Sequence, residues 1–173
     1  MHPMPAGTDV PNPPCFPPFV QGFRPGRRED IKSLVRLETS CFAEEKRDSR
    51  RCIAGSLNSP RQEVWVIEGE EEELKGSLFL RPAQASLRIY SVAINPSFRC
   101  EGLGTRLLQF AIERARLLGL TRVFLESEAE SMFLCEWYGR HGFRRERLLH
   151  NFYAPGCHAW RMVFQIEPDS AFA

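Results

Sequence analysis

With 173 residues, 43% hydrophobic and 26% charged, the chain has the size and composition of one globular domain with a proper core. A net charge of +1 excludes the strong field that recruits nucleic acid or an anionic membrane, and no apolar run approaches the ~20 residues that span a bilayer. The six cysteines are irregularly spaced with no C-x-x-C, the four histidines are scattered, and the N-terminus lacks a signal layout. No zinc site or disulfide framework is therefore expected, and a reducing cytoplasm is the simplest home.

Prolines at 3, 5, 11, 13, 14, 17 and 18 make residues 1–18 a disordered or polyproline-like tail, because proline has no N–H and no place in a helix interior or central strand. A short first strand over 19–24 stops at Pro25-Gly26. From Glu29 onward, Ile31, Leu34, Val35, Cys41 and Phe42 fall near helical spacing and predict a first helix. Asp48 is the expected cap of a second, short helix carrying Cys52, Ile53 and Leu57, closed by Asn58-Ser59-Pro60. Runs over 64–67 and 74–80 predict two strands, the latter ending at Pro82, and the glutamates at 70 to 73 between them read as a solvated hairpin tip. That tip favours a cationic substrate only if it faces the cleft.

A fourth strand over 87–94 leads through Asn95-Pro96 into a glycine-bearing loop that opens an amphipathic helix over 104–118. Leu103, Leu107, Phe110, Ala111, Ala115 and Leu118 share its inner side, and Gly119 stops it. Such a loop is an anion site: the first helical turn has unpaired N–H groups and partial positive charge, and Gly102 and Gly104 let a ligand come close. A pyrophosphate is the expected guest. A dinucleotide fingerprint would need a third glycine where Leu107 stands, and a P-loop would need a lysine after a glycine. A fifth strand over 123–126, a fourth helix over 132–140 and two strands over 143–152 and 159–166 complete the chain. The order β-α-α-β-β-β-α-β-α-β-β predicts an α/β domain over 19–167, a mixed sheet of about seven strands flanked on both faces by about four helices, with 168–173 as a C-terminal tail.

The loop reads Arg99-x-x-Gly102-x-Gly104 after Val92-Ala93-Ile94-x-Pro96. Together with Phe23-Arg24-Pro25 and Glu29-Asp30, Glu126 before the Tyr138 helix, and His141-Gly142-Phe143, it resembles the GNAT superfamily of N-acetyltransferases, most of all those that acetylate ribosomal-protein alanines. The resemblance implies acetyl-CoA as co-substrate, no metal, and transfer to a primary amine of a protein or peptide. The alternatives are a small amine (polyamine, amino acid or antibiotic) and a non-catalytic acyl-CoA-binding module. It implies that Arg99, Cys100, Glu101, Gly102, Leu103, Gly104 and Thr105 cradle the pyrophosphate. It also implies that a backbone N–H within Val92-Ala93-Ile94, freed where a bulge splays the strand, polarises the thioester.

Tyr138 is the implied acid. A thiol near ~8.5 can take a proton from a phenol near ~10 with modest help; the competing reading is an aromatic packed beside Trp137. Glu126, or a water chain, is the implied base, and the competing reading is a carboxylate paired with a nearby arginine; Glu128 and Glu130 are exposed rivals. Tyr153 and Phe152 are implied acceptor contacts, with Phe152 in place of the first tyrosine of an Asn-Tyr-Tyr run. Ser131 replaces an asparagine near the pantetheine, Cys100-Glu101 brings a negative charge beside the phosphates, and Phe42-Ala43-Glu44 alters the substrate wall. Cys100 and Cys135 have no sequence-evident His–Asn/Asp partnership, so direct transfer is expected rather than a covalent cysteine.

Overall fold

The computed structural model describes residues 22–167, as β1 (Phe23–Pro25), α1 (Ile31–Cys41), α2 (Arg50–Asn58), β2 (Glu63–Glu68), β3 (Leu74–Ala83), β4 (Ser86–Ile94), α3 (Leu103–Leu117), β5 (Arg122–Glu128), α4 (Met132–Arg140), β6 (Arg144–Ala154) and β7 (Cys157–Gln165). This is the predicted order. The expected tails, and residues 19–21 of the expected first strand, lie outside the described residues. One seven-stranded sheet runs β1-β2-β3-β4-β5-β7-β6. Every neighbouring pair is antiparallel except β4–β5, which is parallel and crosses over through α3.

Period-two alternation divides the apolar residues between two cores. Trp65 and Ile67 of β2 join Leu78, Leu80, Leu87 and Ile89 beneath α3 and α4. Val64 and Val66 turn the other way, with Phe79 and Ala93, under Leu34 and Leu37 of α1 and Ile53 of α2. Burial on both faces explains why β2 reads as an unbroken apolar run. α3 buries a wider stripe than predicted, since Leu108 and Ile112 are also inside, while Leu118 is the exposed C-cap.

The core beneath α1 and α2 takes its strand residues from β2, β3 and β4 and none from β5. That face of β5 is therefore left for polar groups. At the opposite edge, Arg24 holds β1 to the start of α1 through a two-pronged pair with Asp30 (2.7 and 2.8 Å). The guanidinium keeps the Asp30 carboxyl below its usual range, despite partial burial.

Three local expectations are corrected. The cap of α2 is Ser49, whose hydroxyl accepts from Cys52 N–H at 3.2 Å, while the Asp48 carboxylate is drawn off by the Tyr90 hydroxyl (2.9 Å). β3 continues through Pro82, because its last β2 partner is opposite Leu80 and the missing N–H then faces no ladder on that side. β1 likewise includes Pro25, at the sheet edge opposite Trp65. The acidic turn is an exposed hairpin tip as expected, with Glu71 and Glu72 both at positive φ (48° and 62°). It faces α1 across an open depression of about 630 Å³ that includes Ser33, Arg36, Ser40 and Asn95. Neither Glu126 nor Tyr153 lines that depression.

Candidate active site

The opening between β4 and β5 comes from two defects in pairing. Phe79 stands opposite Ser91 and Leu80 opposite Ile89, so Tyr90 is an extra, bulged residue. The bulge changes the phase of β4: Leu87 and Ile89 face the α3 core before it, and Val92 and Ile94 pack on the same core after it. The parallel ladder to β5 ends at Arg88 opposite Phe124. From Ile89 to Ile94 that edge of β4 has no strand beside it, so the splayed, bulged strand end is present at Val92, Ala93 and Ile94. Cys41 Sγ donates to the Ile94 carbonyl (3.2 Å), and the Tyr90–Asp48 bond ties the bulge to the start of α2.

The loop after β4 exposes its amides. Asn95 Oδ1 accepts from Ser97 N–H (3.0 Å) and shapes the 3₁₀ turn Pro96–Phe98. Cys100 (φ 67°) and Gly102 (φ 75°) are left-handed, the conformation that lets successive N–H groups converge on an anion. The first bond of α3 runs from Arg106 N–H to the Gly102 carbonyl (3.1 Å), leaving the N–H groups of Leu103, Gly104 and Thr105 without helical acceptors. Arg99, Cys100 and Glu101 are solvent-exposed around them. These free amides suit a pyrophosphate, with the Glu101 carboxylate as the one unfavourable charge.

Gly104 is fixed by its neighbour, since a Cβ there would lie 3.1 Å from Trp137 Cζ2. Gly104→Ala is expected to destabilise the fold by about 1–2 kcal/mol through overpacking and to weaken acetyl-CoA binding. Thermal melts and titration calorimetry check both effects, and an unchanged affinity would show that Trp137 yields without moving the loop.

α4 stands against this loop. His141 Nδ1 lies 2.8 Å from the Trp137 carbonyl, which can only accept, so Nδ1 carries the proton, and in the neutral ring Nε2 then accepts from the Thr105 hydroxyl at 2.9 Å. The ring thus pins the first turn of α3 to the last turn of α4, a tie that sequence reading missed. Tyr138 packs edge-on against Trp137 (5.0 Å between centroids) and Phe143 (6.0 Å). Its hydroxyl makes no hydrogen bond to any described residue, and burial pushes the phenol well above its usual value, with Tyr153 and Cys135 adding to the effect. Ser131 is the N-cap of α4 but supplies no side-chain cap bond. Cys135 is buried, its thiol within 3.6 Å of the Glu128 carbonyl.

On the other face, the Glu126 side chain is only 4% exposed and lies between two guanidiniums. Oε2 accepts from Arg88 Nε (2.9 Å) and Oε1 from Arg161 (2.8 Å). Arg161 stands opposite Glu126 in the β5–β7 register. The carboxylate is thus paired as the competing reading had it, as one member of a three-charge cluster. Tyr153 donates to the Glu126 carbonyl (3.1 Å), and burial with the two nearby glutamates pushes its phenol up to about 12. Phe152 crosses it edge-to-face at 4.9 Å. Asn151, left-handed (φ 52°), accepts from Gly156 N–H and shapes the hairpin that presents the two rings. Tyr138, beside the amide loop, and Tyr153, bonded to the Glu126 backbone, come close enough for one phenol to act on the other. Among the described residues, no group of three or more His, Cys, Asp or Glu side chains converges as a metal ion would need.

The chain is 28% identical over 128 residues to an uncharacterized N-acetyltransferase, YdgE, of Bacillus subtilis (strain 168), which covers 72% of this chain and 80% of that protein. The ribosomal-protein-S18-alanine N-acetyltransferase of Escherichia coli shares its fold with a TM-score of 0.76 at 17% identity, over 87% of this chain and 97% of that one. A GNAT family acetyltransferase from Elizabethkingia anophelis, solved with acetyl-CoA bound, does so with a TM-score of 0.65 at 16% identity, over 83% and 97%. The sequence pattern of the acetyltransferase (GNAT) family matches residues 31–143. With that match on the splayed strand, the amide loop and the tyrosine helix, the chain belongs to the GNAT family and is an acetyl-CoA-dependent N-acetyltransferase.

Proposed function

We propose that the acceptor is a primary amine of a protein or peptide, acetylated by direct attack. The observation that carries this reading is the acceptor wall, where Phe152 and Tyr153 remain 38% and 42% exposed on the β6–β7 hairpin. A small-molecule pocket buries most of its ligand, whereas an open aromatic rim suits an extended chain that passes out of the site.

In the proposed reaction the amine nitrogen bonds to the thioester carbon as the C–S bond breaks. The carbonyl oxygen is held by a free N–H of Val92, Ala93 or Ile94. Tyr138 gives its proton to the departing sulfur and regains one from the new amide nitrogen. Before attack, the acceptor ammonium sheds a proton through solvent toward Glu126 Oε1, which keeps a free lone pair beside its bond to Arg161.

Purified protein given acetyl-CoA with peptides bearing free N-termini, and in parallel with small amines, tests this by release of free thiol. Turnover on peptides alone is the expected result. Turnover confined to small amines would move the acceptor to that class, and saturable acetyl-CoA binding without thiol release on either panel would sink the catalytic scheme.

A further inference from the structure

Glu126 and Glu128 alternate with buried Leu125 and Ser127 along β5, so both carboxylates stand on the face that α1 and α2 leave open. Glu126 is occupied by Arg88 and Arg161. Glu128 instead pairs with the ammonium of Lys46, both side chains staying about a third exposed (39% and 34%). Lys46 belongs to the 3₁₀ turn Glu44–Lys46 in the connection between α1 and α2. The pair therefore joins elements 82 residues apart, across the mouth between that connection and the tip of β5. Cys157, at the start of β7, lies near the same ammonium, and the Tyr153 phenol feels both Glu126 and Glu128. Lys46 thus places a primary alkylammonium, the group the acceptor carries in water at neutral pH, at the rim where the acceptor would arrive.

We propose that Glu128 is the docking point for the acceptor's primary ammonium and that Lys46 is its intramolecular occupant, displaced when the acceptor binds. The inference rests on the acetyl-transfer reading above and adds a selection step to it. A partly exposed ion pair is weak, so one ammonium exchanges for another at little cost, while a neutral or anionic group has nothing to gain by opening the latch. Farther in, two guanidiniums face the single Glu126 carboxylate, leaving an excess positive charge that disfavours an ammonium and favours the neutral amine. The rim therefore selects the charged form and the interior the nucleophilic one, and the proton is lost between them.

Three sources of the same ammonium serve as probes: an alanine-initiated tetrapeptide amide, Nα-acetyl-lysine methylamide and 1,4-diaminobutane. Each is titrated calorimetrically into the wild-type chain, Lys46→Met, Glu128→Gln and the double variant, with and without CoA. Lys46→Met is expected to tighten the best probe about 3–5-fold and Glu128→Gln to weaken it by a similar factor. The double variant should bind no tighter than Glu128→Gln alone, and the probe that responds identifies the ammonium source. The proposal is overturned if Lys46→Met tightens no probe, if its gain survives with Gln at 128, or if no probe binds any of the four forms. Failure of the donor reading is visible separately, as a wild-type chain that gives no heat with CoA, and the CoA-free titrations still decide the latch. Lys46→Gln and a thermal melt of each form guard against a folding artefact.

Discussion

Tyr138→Phe is expected to lower kcat by about 10²–10⁴-fold, the usual contribution of a positioned proton donor, while the Kd for acetyl-CoA stays nearly unchanged. The substitution removes only a hydroxyl that bonds to no described residue and keeps the ring against Trp137 and Phe143, so the fold should tolerate it. The pH profile is the more searching readout. Because burial raises the phenol above its usual ~10, Tyr138 stays protonated across the working range and cannot supply an alkaline limb below that value. The same shift makes outright proton transfer to a thiolate uphill in the ground state. In the proposed reaction it would therefore donate a hydrogen bond as charge grows on sulfur, with the proton following. Equal turnover in the Phe variant would remove Tyr138 from the reaction. An alkaline limb below about pH 10 that disappears with the hydroxyl would show that its ionisation is the opposite of what burial dictates.

The amide-loop side of the candidate site was legible because it is local. Strand, turn, amide loop and first helical turn are consecutive between Tyr90 and Thr105, and glycine spacing alone separates the possible phosphate loops. Even there, the His141 bridge to Thr105 joins residues 36 apart and leaves no periodic trace. The surroundings of Glu126 depend on register. Sequence shows an arginine within Leu87-Arg88-Ile89 and another within Trp160-Arg161-Met162, a charge between apolar neighbours in each strand. Only the parallel β4–β5 pairing and the antiparallel β5–β7 pairing reveal that both reach Glu126. The cap of α2 shows the same limit. Asp48 and Ser49 are both good caps by residue type, and Tyr90, forty-two residues away on a bulge, decides between them.

Glu126→Gln is the variant in which structure and chemistry are hardest to separate, and the three-charge cluster offers a way to do it. The amide is expected to destabilise the fold by about 3 kcal/mol, because a buried carboxylate is the counter-ion of two guanidiniums and removing one partner leaves uncompensated charge. Its NH₂ would also face a guanidinium, donor against donor, in a cluster where Arg161 Nε is already buried without a partner. For a domain of this size that is a fall in Tm of roughly 6–12 °C. Turnover should fall as well, which alone says nothing about a base. Pairing the change with Arg161→Met removes one cation along with the anion, so the single positive excess of the native cluster is kept and the apolar stem still covers Phe124. Much of the lost stability should then return. If Glu126 takes the proton, turnover stays low in this double variant, with the loss greatest at low pH, where the acceptor most needs deprotonation. Recovery of turnover together with stability would make Glu126 a positioning residue and assign the proton to water alone.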